Sequence, residues 1–118
     1  MNYFHERTLS QAASELIQFD ADSIRQVVSS QHQPAPEVWL VDPDAYEKNG
    51  RVMRDSESPR MLAYSKTDQV LYGTDGCNSC ARIVRTNLEL LPADELKQFA
   101  DDNELRLELL ERLVSLLR

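Results

Sequence analysis

Two cysteines with two residues between them form the pattern in this sequence that is most often associated with chemistry. Cys77 and Cys80 lie in the segment Gly73-Thr74-Asp75-Gly76-Cys77-Asn78-Ser79-Cys80, directly after the apolar run Val70-Leu71-Tyr72. A thiolate is the attacking species in thiol–disulfide exchange, and the N-terminal end of a helix lowers the pKa of a thiol. If a helix begins at this segment, Cys77 is the nucleophile and Cys80 is the resolving thiol on the same helical face.

The residues from Val70 to Cys80 resemble the strand-loop-CxxC arrangement of glutaredoxin-like proteins. The resemblance covers about a dozen residues and implies thiol-redox activity at Cys77 and Cys80. In that family a further helix and two or more strands follow the motif, with a proline just before one of those strands. Here residues 81–118 remain, and those after Pro92 have a helical pattern, so the rest of the chain departs from the family.

Zinc binding and simple burial are the other two interpretations of Cys77 and Cys80. A structural zinc ion needs four ligands, usually as two close pairs, but the only histidines, His5 and His32, are far from the cysteines in sequence. Free cysteine is often buried and behaves as a small apolar side chain, and Asp75-Gly76 is a turn signal. We predict that this segment is structural, and we expect neither a metal nor a cofactor.

Catalytic patterns are otherwise weak. Asp42 and Asp44, with Glu47 nearby, could serve as acid/base or metal-binding carboxylates, but a helix over 43–49 explains the two aspartates as an N-cap and a favourable charge in the first turn. The sequence contains neither a Ser-His-Asp pattern nor a glycine-rich phosphate loop. We therefore do not expect an enzyme.

Length and composition indicate one soluble globular domain over residues 1–118. The chain is 42% hydrophobic and 28% charged, and its net charge is −7. An acidic surface repels phosphate backbones, which argues against a nucleic-acid partner, and it is compatible with a basic protein partner or with solubility alone. No apolar run reaches the roughly 18 residues that span a bilayer. Because residues 1–19 lack the apolar core of a secretory signal, we expect a cytoplasmic protein that does not bind membranes.

The first 31 residues have a helical pattern with a predicted break at residues 19–22. Before the break, the apolar residues from Leu9 to Ile17 fall on one face, and Ile24, Val27 and Val28 form a second short face after it. This spacing resembles a helix-turn-helix, which would imply DNA binding. Its second helix carries only one basic residue, Arg25, and two packed amphipathic helices explain the same pattern.

The middle of the chain predicts a small antiparallel sheet. The apolar runs 38–41, 61–64 and 69–72 are typical of strands, and the last two are joined by a short polar segment, which favours a hairpin. Residues 81–91 fit either a helix or a further strand of the sheet at 82–86. Together with the terminal helices, this pattern predicts an α+β fold in which helices flank a sheet of three or four strands.

Leucines dominate the helical C-terminal region after Pro92 and cover more than one helical face. One face should pack on the sheet, and the surplus, notably Leu107 and Val114, supplies the candidate partner-binding residues if it is exposed. The alternative is a helix that is buried on two sides, in which these residues belong to the core. We predict a small acidic protein that acts by binding another protein, which includes a second copy of itself, as regulators, inhibitors or immunity proteins do. The alternative is a thiol-redox or zinc protein centred on the two cysteines. The core is predicted to contain Trp39, Leu62, Leu71, Leu96, Phe99, Leu109 and Leu113.

Overall fold

The computed structural model describes residues 9–42, 59–74 and 81–118, with side chains from residue 14 onward. The elements in chain order are α1 (Leu9–Ser30), β1 (Val38–Val41), β2 (Met61–Ser65), β3 (Val70–Thr74), β4 (Arg82–Arg85), a 3-10 turn (Leu88–Leu90), α2 (Ala93–Asp102) and α3 (Leu107–Leu117). The predicted α+β class, with helices at both ends of a four-stranded antiparallel sheet, is confirmed.

The sheet is an antiparallel meander in the order β1-β2-β3-β4, and both of its faces are covered. Every residue of β2 and β3 is buried. Because side chains alternate between faces along a strand, the central hairpin supplies two separate apolar clusters. Leu62, Tyr64 and Leu71 pack with α2 and α3, and Met61, Ala63, Val70 and Tyr72 pack with α1.

The α1 helix is continuous, so the predicted break at residues 19–22 is wrong, and with it the helix-turn-helix interpretation. Ala21 is buried and bridges the two short apolar faces, since the core-facing residues Ile17, Ala21 and Ile24 follow the spacing of one helical stripe. Asp22, within the predicted break, lies on the exposed side and accepts hydrogen bonds from Gln18 at 2.9 Å and Arg25 at 3.0 Å.

The strand predictions are confirmed. Val38 pairs with Tyr64 at one end of the β1–β2 ladder, and Val70 pairs with Arg85 at one end of the β3–β4 ladder. Residues 82–85 form a strand and not a helix, which settles the open alternative for 81–91. The predicted helix over 43–49 lies outside the described residues.

Three connections place a residue other than glycine in the left-handed region of backbone space. His32, Gln69 and Glu104 have φ angles of 55°, 56° and 55°. After α1, the N–H of Gln33 donates to the carbonyl of Val28 at 3.0 Å, which is the hydrogen bond of a Schellman motif with His32 at its left-handed position. This motif satisfies carbonyl groups at the end of α1 and turns the chain toward the sheet.

Two buried tyrosines fasten the loops to the central hairpin, one on each face. The Tyr64 hydroxyl donates to the Thr86 carbonyl at 2.9 Å, and the Tyr72 hydroxyl donates to the Pro34 carbonyl at 3.0 Å. Burial raises the pKa of both phenols. Each hydroxyl therefore remains a neutral donor and holds the chain where it enters or leaves an edge strand.

The structure shows which apolar residues of the C-terminal helices are buried and which are exposed. Val114 is 5% exposed and Leu107 is half-buried against the core, so for these two residues the alternative of a helix buried on two sides applies. The exposed leucine of α3 is Leu116, at 58%. Of the predicted core, Trp39 and Phe99 are only partly buried. The other five predicted residues are buried: Leu62, Leu71, Leu96, Leu109 and Leu113.

A buried ion pair ties the end of β1 to the start of α3. The Arg106 guanidinium donates to the carboxylate of Asp42, whose side chain is 7% exposed, whereas that of Arg106 is 40% exposed. The N–H of Asp42 also donates to the Arg60 carbonyl at 2.7 Å, so the residue is fixed on the sheet. Asp42 therefore positions α3, and the sequence-based interpretations of it as a metal ligand or an acid/base group find no support in this pairing.

Replacing the Asp42 carboxylate should destabilise the fold. Asp42→Asn keeps the shape but removes a charge-assisted hydrogen bond and leaves Arg106 without its buried partner, so we expect the free energy of unfolding to fall by about 1–3 kcal/mol. Asp101→Asn, an exposed change at the end of α2, is the control and should change stability by less than about 0.5 kcal/mol. Urea unfolding measures both, and equal stability of the two variants would contradict the assigned role.

The hairpin turn predicts a pH dependence. The Thr67 hydroxyl donates to the Glu37 carboxylate at 2.6 Å, and the Lys66 N–H donates to it at 2.7 Å. The hydrogen bond from Thr67, aided by the backbone N–H groups, holds the pKa of Glu37 below its ordinary value of 4.5. A group with a lowered folded-state pKa stabilises the fold above its unfolded-state pKa and loses that contribution as the pH falls.

We therefore expect Glu37→Gln to unfold more easily than the parent chain at neutral pH. This difference should shrink as the pH falls through the pKa of Glu37, because both side chains are then uncharged. Carboxyl chemical shifts during an NMR titration give the pKa directly. A stability difference that is the same at neutral and at low pH would show that the charge of Glu37 has no part in it.

Candidate functional site

A groove between the start of α2 and the second half of α3 is an open concave feature of the described residues. It encloses about 250 Å³. Its lining comes from the residues before and at the start of α2 and from one side of α3: Leu91, Ala93, Leu96, Glu111, Val114, Ser115 and Arg118. We call this feature the α2–α3 groove.

Local sequence explains both walls of the groove. Pro92 is the N-cap of α2, where its lack of an N–H group is harmless, and the N–H of Leu96 donates to its carbonyl at 2.8 Å. On α3, Glu111, Val114 and Arg118 follow at intervals of three and four residues, so they share one side of the helix. The groove thus exists because a proline-started helix and one edge of the α3 apolar stripe meet at an angle that leaves space between them.

The floor of the groove is apolar and its rim is polar. Leu96 and Val114 are 6% and 5% exposed, and they form the floor together with the half-buried Leu91. Glu111 and Arg118 are exposed on the rim. Small-molecule sites usually enclose about 300–1,000 Å³, so a groove of 250 Å³ fits one large apolar side chain better than a cofactor.

The C-terminal region that contains the groove has a net negative charge, while the groove lining itself holds one acidic and one basic residue, Glu111 and Arg118. Residues 88–118 contain eight Asp and Glu and four Lys and Arg, so their net charge is 4 − 8 = −4. Glu89, Asp94 and Glu95 lie in the 3-10 turn and in the first turn of α2, close in sequence to Leu91 and Ala93 of the lining. A ligand that places positive charge beside an apolar group therefore matches this part of the surface.

Exposed apolar residues lie on two different sides of the C-terminal helices. Leu90 is 76% exposed and directly precedes Leu91 of the groove. Leu116 follows Val114 by two residues, about 200° around the helix, and so lies on the side of α3 away from the groove. The groove with Leu90 and the side of α3 with Leu116 are therefore separate surfaces.

Of the two partner-binding residues predicted from sequence, the structure places only Val114 in the groove. Leu107 lies seven residues before it on the same side of α3, but it is half-buried against the core and does not line the groove. Leu91, Ala93 and Ser115 were missed because the groove joins residues of two helices. The available sequence signal was Pro92, which marks the start of a helix that is followed by a leucine-rich helix.

Cys77 and Cys80 lie outside the described residues. The segment that contains them joins β3 to β4, which are antiparallel neighbours, and β4 is the single strand in residues 81–118. The chain therefore lacks, after this segment, the two or more strands that the glutaredoxin resemblance implies. Within the described ranges, no three His, Cys, Asp or Glu residues lie close enough together to hold a metal ion.

A second, smaller cavity lies between the sheet and the connection from α2 to α3. It encloses about 40 Å³ and is lined by Leu62, Leu71 and Leu105, among others. Gly73 also lines it, and a Cβ atom there would lie 3.0 Å from the Pro59 Cγ atom, so a larger residue would require Pro59 to move by a few tenths of an ångström. The cavity has room for little more than a water molecule, which leaves the α2–α3 groove as the better candidate site.

Comparison of the chain with protein-family models, curated proteins and solved structures gives no match. Across the described residues, no helix combines the length and the apolar character that a membrane crossing requires.

Proposed function

We propose that this protein acts by binding another protein, and that the α2–α3 groove receives one large apolar side chain of the partner. The observation that carries the proposal is the apolar floor of Leu91, Leu96 and Val114 in an open groove of about 250 Å³. Protein interfaces commonly depend on one or two apolar anchors that fill such a space, surrounded by polar residues that exclude water. The rim of the groove, with Glu111, Ser115 and Arg118, has this arrangement.

The chemistry of the partner follows from the charge of the region. The net charge of −4 over residues 88–118 favours a partner segment in which lysine or arginine flanks a leucine or an aromatic residue. Glu111 is the acidic residue of the groove lining and would face such a positive charge. This proposal makes the protein a binding module, and it assigns no catalytic step to any residue.

Short peptides test the preferred chemistry. A peptide with a central tryptophan or leucine between arginines should bind more tightly than the same peptide with glutamates in place of the arginines. Its affinity should fall as salt is raised, because exposed charges are screened. Fluorescence anisotropy gives the affinities, and NMR shift changes should be concentrated at Leu96, Val114 and Ser115. Equal binding of both peptides, or shift changes elsewhere, would contradict the proposal.

Filling the groove should abolish this binding. Ala93 is exposed and is the first residue of α2, so Ala93→Phe adds a ring over the floor without disturbing the core. We expect the peptide affinity to fall at least about tenfold, which corresponds to about 1.4 kcal/mol. Gln98→Phe, an exposed change on the same helix but outside the groove, is the matched control and should bind as the parent chain does.

The cysteines provide a test against the thiol-redox and zinc alternative. The described lining of the groove comes from residues 91–118, so we expect a variant with both Cys77→Ser and Cys80→Ser to retain peptide affinity within about twofold. Thiol titration and elemental analysis of the parent chain accompany this measurement. A reactive pair of thiols or one zinc per chain, together with loss of binding in the double variant, would support the alternative instead.

A further inference from the structure

The outer edge of β1 is uncharged and has no neighbouring strand among the described residues. β1 is the first strand in the sheet order, and its four residues, Val38–Val41, are all apolar and half-buried. An edge strand offers unpaired N–H and C=O groups that another strand can bind, and proteins usually protect such edges with charge, proline or a bulge. The opposite edge, β4, is protected in this way because exposed Arg82 and Arg85 stand at its two ends.

The hydrogen bonds of β1 determine which of its groups face outward. The N–H of Asp42 donates to the Arg60 carbonyl across the β1–β2 ladder. Because the hydrogen-bonded residues alternate along an antiparallel strand, Leu40 and Val38 also bond to β2. The N–H and C=O groups of Trp39 and Val41 therefore point away from β2, so β1 offers two donors and two acceptors to a second strand.

The faces of the sheet near β1 also allow a second strand to approach. On one face α1 packs over β2 and β3, and the Arg25 guanidinium covers the Trp39 ring with its centre 5.4 Å from the ring centroid. On the other face α3 contacts β1. The side of α3 away from α2 carries Leu116, which is 58% exposed. An apolar edge strand and an exposed leucine thus lie on the same side of the molecule.

We propose that β1 pairs with β1 of a second copy of this chain, in antiparallel orientation about a twofold axis that passes opposite Leu40. Directly opposed residues of antiparallel strands point to the same face, so the axis must pass opposite a residue and not between two residues. An axis at Leu40 places Trp39 of one copy opposite Val41 of the other. Both residues have outward hydrogen-bonding groups, so this register forms four backbone hydrogen bonds.

An axis opposite Trp39 is less favourable. It would bring only Trp39 of each copy into a hydrogen-bonded pair, because the N–H of Glu37 already donates to the Tyr64 carbonyl of β2 at 3.1 Å. The Leu40 register also gives an aromatic side chain a β-branched neighbour across the strands, a stabilising combination. The product is a continuous eight-stranded sheet, in which α3 of each copy lies beside the other and Leu116 becomes covered.

The second strand is assigned as β1 of another copy because two β1 strands can pair with each other symmetrically. Pairing β1 with β1 closes after two copies and leaves the arginine-protected β4 strands at the outer edges, whereas pairing β1 with β4 would continue into a filament. The α2–α3 groove lies on the opposite side of α3 from Leu116, so it stays open in the dimer. The dimer is therefore independent of the proposed partner binding, and either can fail without the other.

Sedimentation velocity of the full chain over a dilution series is the primary experiment. We expect a reversible equilibrium between the mass of one chain and that of two chains. Leu116→Lys, an exposed change that would place two like charges near the axis, should raise the dissociation constant at least about tenfold. Leu90→Lys, which changes the other exposed leucine, is the matched control and should leave it unchanged. A chain that is monomeric at every concentration, or equal effects of the two lysine variants, would overturn the proposal.

Two further variants test the edge itself. Val41→Pro removes an outward N–H group but no hydrogen bond to β2, so the variant should fold and be monomeric. Arg85→Pro at the β4 edge, with an unchanged circular dichroism spectrum, should still dimerise. Leu40→Cys tests the register, because opposed residues that are not hydrogen-bonded to each other have Cα atoms about 4.5 Å apart, within the range of a disulfide. Mild oxidation should join two copies at position 40, and a folded dimer without that crosslink would contradict this register.

Discussion

The fold depends on one constraint, which is that the β2–β3 hairpin is buried on both faces. Strands of this kind need apolar cover above and below, and among the described residues three helices supply it. One long helix, α1, covers one face, and two short helices, α2 and α3, share the other. In this part of the chain the groove lies between the two short helices, while α1 is the one described helix on its face. The candidate site therefore results from the way in which the helices are distributed, with one helix on one face of the sheet and two on the other.

Polar contacts hold these layers in position. The buried hydroxyls of Tyr64 and Tyr72 fasten a loop on each face, Glu37 closes the hairpin turn, and Asp42 fixes the start of α3. Each of these contacts joins residues that are far apart in sequence, so they specify which arrangement of helices forms on the sheet. Apolar burial supplies most of the stability, and these few bonds select the register and the helix positions.

Most of the architecture could be predicted from sequence because its signals are local. The apolar runs of β1, β2 and β3 and the helical stripe after Pro92 each depend on a short window. Two features were not settled in this way. The predicted break at residues 19–22 was wrong because Ala21 continues the apolar stripe of one helix, and Asp22 lies on its exposed side with hydrogen bonds to Gln18 and Arg25. The exposure of Val114 stayed open because burial of a residue at the margin of an apolar stripe depends on where a second helix packs. The groove is a property of that packing, so no single window of sequence contains it.

The three connections with left-handed residues show where this chain differs from an idealised version of the same fold. His32, Gln69 and Glu104 each hold a conformation that costs a residue with a side chain roughly 1 kcal/mol relative to the right-handed region, and glycine avoids that cost. A typical domain is stable by only about 5–15 kcal/mol. The chain thus gives up a noticeable share of its stability at three exposed positions outside both apolar clusters. Its thermal tolerance is set partly by these turns, and it could rise through changes that leave every buried contact and both proposed binding surfaces as they are.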